Sequence, residues 1–377
     1  MTTDESVYLD HNATTPARAE AIDAMVVALG LEGNPSSSHA AGRKARATME
    51  TARDQVAAAV GALSSEVIFT SGGTEANGAT LIGTGATSLF ISAIEHDSVM
   101  SGAVATGLPV HSIPVDNQGI VQLEVLEDIL SRVGEGALVS VMLANNETGI
   151  IQPIHEIVEI AHKHIAKVHC DAVQAVAKID VNFHNLGVDY MSVSAHKIGG
   201  PKGVGALVMR EGLQVAPLVI GGGQEKGRRS GTENLSGIAG FGAAAALVRS
   251  SLEYVQKLSV LRDSMEARIK AHAPDTVIFS DQSRRLPNTS NISMPGVTNE
   301  LQLMSFDLQG LYVSAGSACS SGKVSASHVL LAMGITDAVA GNSIRISLGW
   351  STQASDIDRF VEAWIGIYDK QTAKAAQ

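Results

Sequence analysis

The chain has 377 residues, with 27 Lys and Arg against 38 Asp and Glu for a formal charge of −11, and 45% of it is hydrophobic. That apolar content excludes wholesale disorder and suffices for two domains, or one large domain with a satellite. The acidic balance argues against nucleic acid as the main ligand, and two cysteines exclude a disulfide scaffold or a four-cysteine zinc site.

The opening segment, MTTDESVYLD, carries acids where a secretory leader needs a basic start and an apolar run. Helical faces follow at Ile22, Met25, Val26 and Leu29, and at Met49, Ala52, Val56 and Val60. The run VIFT (67–70) reads as a buried strand and leads into SGGTEANG (71–78), a glycine-containing turn into a helix. Exposed N–H groups and the Thr74 hydroxyl there make an anion site; a tight turn with a capping Thr is the plainer reading. The strand LFISAI (89–94) ends at Glu95-His96, and ALVSVML (137–143) ends at ANNETG (144–149). A helix carries Ile154, Ile157, Val158, Ala161 and Ile165, with Pro153 where a first turn tolerates it.

KVHCDA (167–172) is a strand that closes on Asp171. A carboxylate there needs a partner: a helix N-terminus that it caps, or a cationic ring nitrogen. Strand alternation points Cys170 to the opposite face, as a small buried hydrophobe. DYMSVS (189–194) ends at Ala195-His196-Lys197, followed by the glycine-bounded GGPKG, and GVGALVM (203–209) is another strand. A desolvated Lys197 would be a nucleophile for a carbonyl; a solvated surface lysine is the ordinary alternative, and Lys202 fits that alternative. Strand–helix alternation over 65–210 predicts a mainly parallel sheet with helices on both faces, its polar loops gathered at one edge.

GGGQEKGRRSGTEN (221–234) is a local cationic island, suited to a phosphate or a partner subunit if it is more than a surface loop. A long Ala-rich helical tract is expected over 234–271, and the most continuous small-apolar stretch of the chain, 237–248, is too short to span a membrane. Ala and Gly richness suggests close helix–sheet packing. The strands TSNISM (289–294), LYVSA (311–315) and SIRISL (343–348) and a last helix with Ile357, Phe360, Val361, Trp364 and Ile365 on one face form a smaller α+β domain. SAGSACSSG (314–322) sets Cys319 among small residues, where a thiol reads as reachable. Arg345 on an apolar strand needs an anion: a structural carboxylate or a substrate's.

Together these residues resemble the cysteine desulfurases of the NifS/IscS type, within the class-V aminotransferases. The similarity runs through YLDHNATTP (8–16), NPSSSH (34–39), SGGTEANG, EHDSV (95–99), NNETG (145–149), DAVQA (171–175), SAHKIGGPKG (194–203), GGGQEKGRRSGTEN, AGSACSSG (315–322) and IRISLG (344–349), in family order over nearly the whole chain. The resemblance implies an α/β fold of the pyridoxal-phosphate fold type I, aspartate-aminotransferase-like, with a large mainly parallel seven-stranded sheet domain and a smaller α+β C-terminal domain. It places an N-terminal segment (1–15) with the small domain, the cofactor-binding domain at 16–255, and the small domain with the cysteine loop at 256–377.

It further implies pyridoxal 5'-phosphate on Lys197 as a Schiff base, with Asp171 on the ring nitrogen and His96 stacked on the ring and moving protons. Gln174 and Asn146 would orient the ring hydroxyl side and the substrate. Gly73, Thr74, Ser194 and His196 would hold the phosphate, and Thr232 would reach the phosphate of a second subunit, making the enzyme a homodimer. Arg345 would clamp the carboxylate of L-cysteine. The Cys319 thiolate would take its sulfur as a persulfide, leave alanine, and pass the sulfur to an acceptor such as an iron–sulfur scaffold protein, where Cys319 would transiently meet a [2Fe–2S] cluster. Gly78 stands where many relatives have Asn. A cytoplasmic protein is expected, with no membrane or nucleic-acid partner. Selenocysteine lyase, another aminotransferase-like reaction, or a cofactor-free docking protein are the competing readings.

Overall fold

A computed structural model describes residues 6–133, 135–316 and 326–375. In chain order the first half contains β1 (Val7–Tyr8), α1 (Ala19–Leu29), α2 (Ala40–Ala59), β2 (Val67–Thr70), α3 (Gly73–Gly83), β3 (Ser88–Ser92), α4 (Asp97–Ala105), β4 (Val110–Ile113), α5 (Leu123–Ser131), β5 (Ala137–Ser140), α6 (Ile154–Lys163) and β6 (Lys167–Asp171). The second half contains α7 (Phe183–Leu186), β7 (Tyr190–Ser194), β8 (Gly205–Met209), α8 (Leu235–Ala246), α9 (Val248–His272), β9 (Thr289–Ser293), α10 (Asn299–Asp307), β10 (Leu311–Tyr312), α11 (His328–Ala332), α12 (Asp337–Ala340), β11 (Ser343–Ser347) and α13 (Ala354–Ala375).

The β-branched runs of the first 210 residues form a seven-stranded sheet in the order β2-β8-β7-β6-β5-β3-β4. Only β8 runs against its neighbours within it. Alternate residues feed cores on the two faces: Phe90, Val139, Val168 and Cys170 on one, Leu89, Ile91, Leu138 and Tyr190 on the other. The β4 strand, VHSI, is half exposed at the sheet edge, so it lacks the apolar run by which its neighbours are recognised.

Beyond residue 250 the chain builds a second core around Met265, Ile269, Phe306, Phe360 and Trp364, which also takes in Val7 and Leu9. Phe306 and Phe360 stack at 5.1 Å. Here β1 pairs in parallel with β10, and β9 pairs antiparallel with β11. The run 311–315 supplies only the two residues of β10.

Three expectations are corrected. The helical tract over 234–271 is not continuous but two helices, α8 and α9, bent by 61° at Leu247. Different neighbours require the two directions: α8 lies against α1 and α2, whereas α9 packs on α13. In α1 the face Ile22, Val26 and Leu29 points outward, and Ala21 and Ala28 are the buried residues. The reason is close approach. A Cβ on Gly240 would come 2.6 Å from Met25 Cγ, and one on Gly242 would come 2.5 Å from Ala52 Cα in α2. The small residues of this region thus serve helix–helix contact, where helix–sheet packing was expected. Among the described residues no single helix is long and apolar enough to cross a membrane.

Gly242→Ala is expected to lower stability by about 1–3 kcal/mol, although Ala favours helix by about 1 kcal/mol over Gly. Urea denaturation followed by circular dichroism measures it; an unchanged or higher midpoint would show that α2 and α8 can part without cost.

Candidate active site

Parallel strands deliver their C-terminal ends to one edge of the sheet, and the loops that leave β2, β3, β5, β6 and β7 there enclose a cavity of about 290 Å³. Gly73, Thr74, His96, Asn146, Asp171, Gln174, Ser194, His196 and Lys197 line it, together with Asn77 and Ser98.

The floor is Asp171, at the end of β6 and 6% exposed. Its Oδ1 accepts from Val173 N at 2.9 Å and its Oδ2 from Asn77 Nδ2 at 2.7 Å. Among the described residues no basic side chain pairs with it, so a buried carboxylate is left for a cation in the cavity. Asn77 also donates to Ser98 Oγ at 2.9 Å, and Ser98 Oγ lies 2.8 Å from His96 Nδ1. The backbone N–H of Ser98 donates to the same Nδ1, at 3.1 Å, which puts the ring proton of neutral His96 on Nε2. Four residues from the end of β6, from α3 and from the start of α4 are thus linked in a row: Asp171, Asn77, Ser98, His96.

One end of the cavity is the N-terminus of α3, where Gly72 caps and Gly73 begins the helix. A Cβ on Gly73 would come 2.8 Å from Val173 Cγ2. Unspent N–H groups at this end, with the Thr74 and Ser194 hydroxyls, suit an anion. Lys197, on the short 3₁₀ turn after β7, donates from Nζ to the Asn12 and Ala13 carbonyls, the latter at 2.8 Å. The amine, a carboxylate with no basic partner among the described residues, and the anion site therefore face one small cavity, and that set fits a pyridoxal 5'-phosphate: an aldehyde for the amine, a ring nitrogen for the carboxylate, a phosphate for the helix end.

Burial sets the protonation of the surroundings. Glu95 is fully buried, with Oε1 on Met142 N at 2.7 Å, and burial pushes its carboxyl well up, with Asp171 adding to the effect. His169 sits between Ser140 Oγ at 2.8 Å and Ser192 Oγ at 2.9 Å, and burial lowers it to about 4. His196, desolvated and near Lys197, is also pushed down to about 4. Cys170 is buried on the far face of the strand, and burial, then Asp171 and Glu95, raise its thiol well above the ordinary value. It is an inert thiol.

Two other expected residues lie elsewhere. Arg345 in β11 is 5% exposed and does not line the cavity; Nη2 donates to Asp10 Oδ1 at 2.6 Å and Nη1 to the Asn146 carbonyl at 3.1 Å. The structural carboxylate expected as one of its two partners is thus Asp10. Thr232 is exposed, away from the cavity, in the glycine-rich loop. That loop is tied down at Glu225, which takes Arg53 through both oxygens at 2.7 Å and Phe69 N at 2.9 Å, with Arg53 4.7 Å over the Phe69 ring. Arg229 adds an ion pair to Glu75 at 2.9 Å. Cys319 lies outside the described residues; before it, a Cβ on Gly316 would come 2.0 Å from Glu147 Oε2, and after it the Ser327 hydroxyl donates to the same oxygen at 2.5 Å. Sequence reasoning passed over Asn12, Asn77, Ser98 and Lys178. Asn77 stands inside the quoted SGGTEANG, but nothing local marks an Asn as the partner of an acid 94 residues away.

Comparison with known proteins agrees with this geometry. Residues 7–360 match the family model described as Aminotransferase class-V. The chain is 41% identical over 375 residues to a protein of Dictyoglomus turgidum named cysteine desulfurase IscS, covering 97% of this chain and 95% of that protein. It is 42% identical over 381 residues to a cysteine desulfurase of Cereibacter sphaeroides, covering 98% and 97%. The crystal structure of a NifS-like protein from Rickettsia africae is similar at a TM-score of 0.90 and 40% identity, covering 97% of this chain and all of that one.

His11, His169 and His196 are held neutral, each shifted from 6.5 to about 4. The unfolded chain therefore binds more protons than the folded one between these values, so the stability they contribute is full above pH 6.5 and is lost as pH falls toward 4. The urea midpoint is expected to fall through that window, and less steeply in His169→Gln; a flat profile would contradict the buried neutral imidazoles.

Proposed function

Because the chain belongs to the class-V aminotransferase family, and relatives spanning nearly its whole length are named cysteine desulfurases, we infer that it is a cysteine desulfurase, removing sulfur from L-cysteine to give L-alanine. One observation carries this reading: the amine of Lys197, the carboxylate of Asp171 and the N-terminus of α3 meet in a single cavity.

Pyridoxal 5'-phosphate, when bound, supplies a cationic ring that draws electrons from the substrate. Lys197 would hold it covalently, Asp171 would keep the ring nitrogen protonated, and Gly73, Thr74, Ser194 and His196 would hold the phosphate. His96 would lie on the ring, with Gln174 and Asn146 toward the ring oxygen and the substrate. The freed Lys197 amine takes and returns the substrate Cα proton, and the Nε2–H of His96 serves as a proton donor. Arg345 is proposed to meet the substrate carboxylate, exchanging its bond to Asp10. The Cys319 thiolate attacks the substrate sulfur; the sulfur leaves carbon for Cys319 as a persulfide, carbon takes a proton, and alanine departs.

We propose that a homodimer is the working form, with Thr232 crossing to the phosphate of the other subunit. Support comes from the charge and placement of loop 221–234 and from apolar residues that this chain leaves exposed, Val26, Leu29 and Ile220 among them. The sulfur is proposed to pass to an acceptor such as an iron–sulfur scaffold, where Cys319 transiently touches a [2Fe–2S] cluster, and the reducing cytoplasm suits a working thiol. The division into 16–255 and 256–377, with 1–15 joining the latter, is proposed on the same resemblance.

Incubation with L-cysteine followed by mass mapping of thiols is expected to find added sulfur on Cys319 and none on Cys170. Cys319→Ser is expected to stop alanine formation, and Lys197→Ala to reduce it by about a thousandfold. Alanine at the full rate from Cys319→Ser would instead indicate another class-V reaction.

A further inference from the structure

Lys178 lies behind the cavity, 6% exposed, and reaches no carboxylate among the described residues. Its Nζ donates to Asn12 Oδ1 at 2.8 Å and to Gln174 Oε1 at 2.5 Å. Among the described residues, the charged and titratable groups around it are Lys197, Arg345, Arg18, His11 and His196, all basic. Burial and these neighbours hold its pKa well below the ordinary lysine value. Both partners of its Nζ are amide oxygens, which only accept.

This arrangement decides which way the Gln174 amide faces. With Oε1 taken by Lys178, Nε2 donates to the Asn12 carbonyl at 2.9 Å. One N–H of that nitrogen remains, on a side chain that lines the cavity. The reversed amide would set its oxygen against the Asn12 carbonyl and strip Lys178 of an acceptor, so it loses on both sides. We propose that Lys178 is a positioning residue that locks Gln174 as a hydrogen-bond donor toward the ring oxygen of the cofactor. The proposal rests on the pyridoxal phosphate reading and deepens it. A donor at that oxygen stabilises its anionic form; a free amide would as readily present its own oxygen and repel it.

The test uses the cofactor-loaded enzyme without substrate. In Lys178→Met the pH midpoint of the visible absorption is expected to rise by about one unit, and cofactor affinity to fall about tenfold. Gln174→Ala is expected to move the midpoint likewise, and Lys178→Met added to it is expected to move it no further. A folded Lys178→Met with the wild-type midpoint and affinity, as a purely structural lysine would give, overturns the proposal, as does a shift that persists in the Gln174→Ala background. Should the Met variant not fold, Lys178→Gln, which keeps an amide donor at the site, decides by the same readings, its midpoint being expected between wild type and Gln174→Ala. A wild-type protein that takes up no cofactor would overturn the cofactor reading itself, which is a different outcome.

Discussion

Asn12 is the point on which the site converges. Its N–H donates to Ser347 Oγ at 2.9 Å, and its amide nitrogen donates to the Asn146 carbonyl at 3.1 Å and to Thr289 Oγ1 at 2.9 Å. Its amide oxygen accepts from Lys178 and Asn288, and its carbonyl from Gln174 and Lys197. One residue of the N-terminal segment thereby joins the sheet edge, the turn that bears Lys197, and strands β9 and β11 of the second core. All of its polar atoms are satisfied in a buried setting, where an unmet partner is costly, so the network admits one arrangement.

Around that point burial decides which groups carry charge. Three imidazoles are kept neutral by desolvation, and Glu95 is driven toward its protonated form. Asp171 has no basic partner among the described residues, and it faces the cavity with only an amide and a backbone N–H on its oxygens. The relay through Asn77 and Ser98 ties that carboxylate to the orientation of His96, so acid and imidazole are set by the same set of hydrogen bonds.

The parts of the architecture visible in sequence are those with a local cause. Buried strands show as β-branched runs, and the polar loops after them share an edge because parallel strands must put like ends together. Lys197, Asp171 and His96 were found that way. What stayed hidden depends on partners far along the chain. Asn77 and Lys178 have no local mark, since an asparagine in a helix or a lysine in AVAKID looks ordinary until its acceptor is known. The exposed face of α1 has the right period for burial and the wrong neighbour: α8 comes so near through its glycines that the alanines fill the contact. The edge strand β4 escaped notice because exposure removes the apolar signal. The place of Thr232 and Arg345 relative to the cavity likewise depends on tertiary contacts, with Arg345 held by an acid 335 positions away.

The clasp of Arg53 on Glu225 also bears on how the glycine-rich loop meets anything outside it. Glu225 and Lys226 take backbone angles of φ 45° and 58°, which side-chain-bearing residues seldom adopt. A doubly hydrogen-bonded buried ion pair keeps them there, and the Arg229–Glu75 pair secures the next turn. The loss of conformational freedom in this stretch is thus charged to the folding of the single chain. An arriving surface finds the loop already rigid, and more of the energy of the encounter is left for holding the complex together.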